Sequence, residues 1–314
     1  MIVEPAPGGR RTLANLRMAL TLTSEAYYAT KNATDHAVRL TERLFFGEKY
    51  LPNRLREYRG QKKIAMMYHG YMQGRAGFER LERLLGSEVF NIFGISGGYQ
   101  PYSQDIRISA EYERRVLDWV LSETDAEEVY LIGHSQGGLV VRWLVQKMMA
   151  PPEVKKCIFL ATPHMGTWAA LAGIPHRIAT KALGFIPNMP EIVGESAFQM
   201  LPGSPLLADL NRVPLPGGMD FLNLYNRLDP VVWPSRYARL PYREATNILL
   251  KKVGHLQPLY DYQEFDIMLR ALLSPAGRAH SVFEDDVLAG REVLERRVMG
   301  TGDEMYEEIV TPAE

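Results

Sequence analysis

The sequence predicts an α/β protein whose mostly parallel central sheet is covered by helices on both faces. Three observations carry that expectation. From Lys62 onward, short apolar runs alternate with amphipathic helical stretches. Several of those runs are continuously hydrophobic, the pattern of strands buried on both faces. The length of 314 residues, with 46% apolar and 23% charged content, suits one large domain with insertions.

Residues 12 to about 50 place Leu13, Leu16, Leu20 and Tyr27, then Val38, Leu44 and Phe45, in mostly helical spacing. Residues 1–60 therefore read as a helical N-terminal extension. The segment 61–274 reads as the main domain. Its strand-like runs are IAMMY, EVFNIFG, EEVYLIG, KKCIFLAT, FLNLY and NILLKKV. Between them lie the helical stretches AGFERLERLLG, YERRVLDWVL, with Tyr112, Val116 and Val120 on one face, and LVVRWLVQKMM.

The stretch from Met165 to about Met219 is too long for an ordinary connection between a strand and the next. It holds Trp168, Leu171, Ile174, Leu183, Phe185, Ile186, Met189 and Phe198. Two readings stay open: a movable, lid-like cover over an apolar site, or helices packed on the domain. Residues 275–314 are charged, and EDDVLAGREVLERRV has the pattern of an amphipathic helix, so this part reads as a helical tail.

The chemistry concentrates at Gly133-His134-Ser135-Gln136-Gly137, a G-x-S-x-G pattern between a strand-like run and a helical one. A strand turning directly into a helix around one residue strains that residue and leaves room only for small neighbours two positions away. Gly133 and Gly137 meet that demand. Ser135 would then project from the sheet edge, with the amide of Gln136 pointing to the same place. The bland alternative is a serine that merely caps a helix.

A serine hydroxyl needs a base, and the base needs a group that fixes its tautomer. Asp229 follows a strand-like run in a loop bounded by Pro230, where open α/β sheets gather their functional groups; an Asx turn is the competing explanation. Asp209, inside a helical-looking segment, and Asp220, ahead of its strand, are poorer rivals. Of the seven histidines, His255 alone combines a strand end with a place after Asp229. His134 abuts the serine but would point away from it; His69, His164, His176, His36 and His280 are less well placed. In YHGYMQG, Gly70 lets the chain turn so that the N–H of Tyr71 faces Ser135. Tyr71 and Gln136 are thus the expected oxyanion donors; a glycine turn without a catalytic part is the alternative.

These residues resemble the α/β-hydrolase superfamily, and more narrowly bacterial triacylglycerol lipases and esterases. YHGYMQG, LIGHSQGG, LATPHMGT, the MLPGSPLLADLN segment, and RLDPVV with VGHLQPL carry the likeness, from residue 64 to about 260. The resemblance implies Ser135 as nucleophile, His255 as base and then acid, Asp229 as its orienter, and a lid region after His164. It also implies that the superfamily's usual early antiparallel strands are absent or replaced by the helical extension.

The expected function is a serine carboxylic-ester hydrolase acting on lipid or other apolar acyl esters through an acyl-enzyme. An acyltransferase using the same three residues and a non-catalytic binding protein on the same frame are the alternatives. Thirty-six Lys and Arg against thirty-seven Asp and Glu give a net charge of −1, a field that does not attract nucleic acid. No cofactor or metal is expected, and no acidic cluster suggests calcium. The single cysteine, Cys157, reads as a buried hydrophobe. No apolar run reaches the roughly 20 residues of a membrane span, although transient contact with a lipid interface is compatible with the composition. The paired Arg10 and Arg11 loosely suggest an export signal, but Asn15 and Arg17 interrupt its apolar stretch, which favours the cytoplasm.

Overall fold

The computed structural model describes residues 60–71, 73, 75–78, 81, 82, 85, 93–96, 104–172, 195–260, 262–273 and 306–309, with the isolated helical residues Thr23, Ala26, Tyr27 and Thr30. Its centre is a seven-stranded sheet. The strands are β1 (Lys63–Tyr68), β2 (Phe93–Ser96), β3 (Glu128–His134), β4 (Val154–Leu160), β5 (Asp220–Leu228), β6 (Thr246–Val253) and β7 (Tyr306–Ile309). They lie in the order β2-β1-β3-β4-β5-β6-β7. Every neighbouring pair is parallel except β6 with β7.

The continuous apolar runs follow from burial on both faces. In β1, Ile64, Met66 and Tyr68 enter one core while Ala65 and Met67 enter the other. Leu131 and Ile132 of β3, and Phe159 and Ile158 of β4, divide in the same way. One core is closed by helix α1 (Ile106–Glu123) and helix α2 (Gln136–Lys147). Val116 and Val120 of α1 are buried there and Tyr112 packs at its margin, as their spacing predicts. Asp105 caps α1 by accepting the Arg107 N–H at 2.8 Å.

The chain leaves β1 for β2 on one side and returns to β3 on the other. Loops from the carboxyl ends of β1 and β3 therefore part at a reversal of strand order, where open α/β sheets form their binding crevices.

The 165–219 stretch divides. A 3-10 turn, Trp168–Ala172, leaves Trp168 and Leu171 exposed. Helices α3 (Glu195–Gln199) and α4 (Pro205–Arg212) pack on the domain, with Leu206, Leu207 and Leu210 buried. Residues 195–199 and 205–212 are thus helices packed on the domain. Ser204 caps α4 and Pro205 opens it, and Asn211 bonds the buried Arg142 of α2 at 3.0 Å. Ile174, His176, Leu183, Phe185, Ile186 and Met189 lie outside the described residues.

One expectation changes. The tail 275–314 was expected to be helical, yet Tyr306–Ile309 adds an antiparallel strand to β6; most of EDDVLAGREVLERRV and of the N-terminal extension lies outside the described residues. Tyr27 is helical, as its spacing predicts, and 64% exposed. Among the described residues no strand precedes Lys63, and no helix is long and apolar enough to cross a membrane. Helix α5 (Tyr262–Leu273) covers the second core with Ile267, Met268 and Leu272.

Candidate active site

Ser135 stands between β3 and α2 with φ 53° and ψ −124°. That backbone conformation costs an L-residue about 1–3 kcal/mol and has to be imposed by its surroundings. The Ser135 N–H donates to Leu160 O at 2.8 Å, fixing the turn to the end of β4. Close approach explains the glycines: a Cβ on Gly137 would stand 2.1 Å from Tyr68 O, and one on Gly133 would stand 2.5 Å from Gly138 Cα. Both obstacles are backbone and cannot swing aside.

The structure brings three of the expected residues together. Ser135 Oγ lies 2.9 Å from His255 Nε2, and His255 Nδ1 lies 2.8 Å from Asp229 Oδ2. Only 7% of Ser135, 6% of His255 and 1% of Asp229 is exposed, so water competes little for these bonds. Asp229 is held by its other oxygen: Oδ1 accepts the N–H groups of Val231 at 2.7 Å and Val232 at 2.8 Å. The Asx turn and the histidine contact are thus made by one carboxylate, and the two explanations do not compete.

His255 Nδ1–H donates to Asp229, which leaves Nε2 facing the Ser135 hydroxyl. Strand β5 runs to Leu228, so Asp229 follows it directly, and Asp220 is the first residue of that strand instead of a loop residue before it. The apolar run ends at Tyr225, but the backbone ladder to β6 continues through Asn226 and Leu228. Asp209 lies in α4. His255 follows Gly254, whose φ of 132° is reached most easily without a side chain. Asn226 Nδ2 donates to Gly254 O at 3.0 Å and steadies that loop.

The sequence pattern of the α/β-hydrolase fold matches residues 66–239. The chain belongs to the α/β-hydrolase family. Among solved structures, the mature form of Bacillus licheniformis lipase BlEst2 superposes with a TM-score of 0.51 at 16% identity, covering 68% of this chain and 92% of that one. The propeptide form of the same lipase gives a TM-score of 0.54 at 16% identity, covering 69% of this chain and 51% of that longer chain. At such identity these likenesses concern the fold. No curated protein sequence matches the chain.

In this α/β hydrolase the two expected oxyanion residues flank Ser135. Gln136 is the first residue of α2, where helix amides lack intrahelical partners. Tyr71 follows Gly70, and a Cβ on Gly70 would be 3.0 Å from Ser135 Cβ, so this turn lies against the serine.

Sequence reasoning did not foresee the contacts of His134. Its ring is fully buried, with Nε2 facing His255 O and Nδ1 facing Gln73 Oε1, each at 2.9 Å. Burial, with His255 nearby, pushes its pKa down to about 3. His164 is buried too, its Nε2 3.2 Å from Asn223 Oδ1, and desolvation holds its pKa well below the usual value. His69 Nδ1 lies 2.9 Å from Gly70 O. Cys157 is buried and free, and desolvation raises its thiol pKa. Among the described residues no group of three or more His, Cys, Asp or Glu side chains could hold a metal ion.

Proposed function

We propose that the chain is a serine carboxylic-ester hydrolase of the lipase and esterase kind, in which Ser135, His255 and Asp229 act as a catalytic triad. The observation that carries the reading is the continuous hydrogen-bonded path from Ser135 Oγ through the imidazole to Asp229. As Oγ attacks the ester carbonyl carbon, His255 Nε2 takes its proton and Asp229 stabilises the resulting imidazolium. The carbonyl oxygen becomes an oxyanion, received by the backbone N–H groups of Gln136 and Tyr71; losing one such donor costs about 3 kcal/mol of barrier.

The imidazolium returns the proton to the departing alcohol as the C–O bond breaks, leaving an acyl group on Ser135. Water, deprotonated by the same Nε2, then attacks that acyl carbon; the bond to Oγ breaks, the imidazolium returns its proton to Oγ, and the acid leaves. An apolar acyl chain is the favoured substrate feature. Exposed Trp168, Leu171 and Trp233 are its support, because Thr167 Oγ1 bonds Val231 O and ties their segments beside the Asp229 loop.

The experiment is hydrolysis of p-nitrophenyl esters of increasing acyl length by purified wild type and Ser135→Ala. Activity that rises with chain length and disappears in Ser135→Ala supports the reading; equal activity in both proteins overturns it. Product analysis with added alcohols separates transfer to water from transfer to another acceptor.

A further inference from the structure

His134 stands between two loops that the proposed reaction uses for different tasks. At one end, His134 Nε2 meets the backbone O of His255, the residue that carries the base. At the other, His134 Nδ1 meets Gln73 Oε1, which also accepts the Gly70 N–H at 2.8 Å. The Gln73 N–H returns to Gly70 O at 3.2 Å, so Gln73 closes the turn containing Tyr71 with both backbone and side chain. Gln73 is only 8% exposed and His134 is fully enclosed at the end of β3, between β1 and β4.

We infer that Gln73 is a positioning residue, which holds the Gly70–Tyr71 turn in place beside Ser135. The inference rests on the serine-hydrolase reading and names what keeps its expected oxyanion donor in register. Gln73 acts through the backbone of Gly70, with His134 packed between it and the His255 loop.

The proton inventory identifies the more informative residue to change. A neutral buried imidazole has one N–H, and both of its partners here are oxygens. With the proton on Nε2 it bonds the His255 carbonyl; with the proton on Nδ1 it bonds Gln73. Gln73 Oε1 accepts the Gly70 N–H under either tautomer. That bond is therefore the constant part of the path, and its loss frees the turn beside the nucleophile.

The test compares Gln73→Met, of similar length but with no strong acceptor for the Gly70 N–H, with Gln73→Glu, which keeps acceptor oxygens at that reach. Displacing a catalytic group by about 1 Å costs about 100-fold in rate. Gln73→Met is therefore expected to lose about 100-fold in kcat with KM within about twofold, because an oxyanion donor acts chiefly in the transition state. Gln73→Glu is expected to recover most of that loss, with thermal melting and far-UV circular dichroism certifying that both variants fold. Wild-type kcat in Gln73→Met, or equal losses in the two folded variants, overturns the inference. Full activity in Ser135→Ala would instead overturn the underlying hydrolase reading, so the two failures are distinct. If Gln73→Met does not fold, Gln73→Ala read by single-turnover acylation replaces it, with the same expected loss and the same refutation.

Discussion

Replacing Asp229 by asparagine tests the proposed relay through its hydrogen-bond directions. Oδ1 accepts two backbone N–H groups, from Val231 and Val232, and Oδ2 faces His255 Nδ1. An asparagine has only one oxygen to offer. Turning its –NH2 toward the two backbone donors would break both bonds, at about 1–3 kcal/mol for each group left unsatisfied. The oxygen therefore stays on Val231 and Val232, and the –NH2 points at His255.

Facing a donor, Nδ1 gives up its proton, which moves to Nε2. An Nε2–H cannot accept the Ser135 proton. A wrong-tautomer lock of this kind lowers kcat by about 10⁴-fold, which is about 5.5 kcal/mol of barrier. Asp229→Ala removes the anchor without imposing a tautomer, so it is expected to retain more activity than Asp229→Asn. The assay is steady-state hydrolysis of a short p-nitrophenyl ester at pH 7 to 8, with thermal melting to establish that each variant is folded. A folded Asp229→Asn protein within tenfold of wild-type kcat/KM would refute the reasoning.

Two further outcomes follow from the same geometry. Gly137→Ala sets a methyl group 2.1 Å from Tyr68 O and 2.6 Å from His69 O, so it is expected to destabilise the protein by about 3 kcal/mol or more, measured as a lowered midpoint in urea; an unchanged midpoint would contradict the close approach. Acid should also unfold the protein early, because the unfolded chain protonates its histidines below about pH 6.5, while buried His134 stays neutral to about pH 3 and His164 stays neutral well below its usual pKa. In that window the unfolded state binds more protons, and each ring removes up to about 1.4 kcal/mol of stability per pH unit as pH falls. Urea titrations from pH 7 to 4.5 measure this, and a flat stability profile would contradict it.

The strands were legible because burial on both faces leaves no polar alternation to confuse them: β1, β3 and β4 coincide with their apolar runs. Ser135, Asp229 and His255 could be nominated because each follows a strand in the expected order, although their meeting is a property of the folded sheet. Asn226, Gln73 and His134 carried no comparable signal, since their partners lie 28, 61 and 121 residues away. Strand β7 was illegible for another reason: four residues, YEEI, hold too little pattern to separate from a charged tail. Helix α4 had a local signal, because Ser204 followed by Pro205 is a helix-start pair and the segment around Asp209 has a helical pattern, whereas its packing against α2 depends on partners far away in the chain.

The account stands most directly on whether Ser135 is the atom that becomes acylated. Treatment with a fluorophosphonate, followed by intact-mass analysis and peptide mapping, measures this. One adduct on Ser135, absent from Ser135→Ala, is the predicted result. Ester hydrolysis that persists with Ser135 unmodified, or an adduct carried by a different residue, would contradict it.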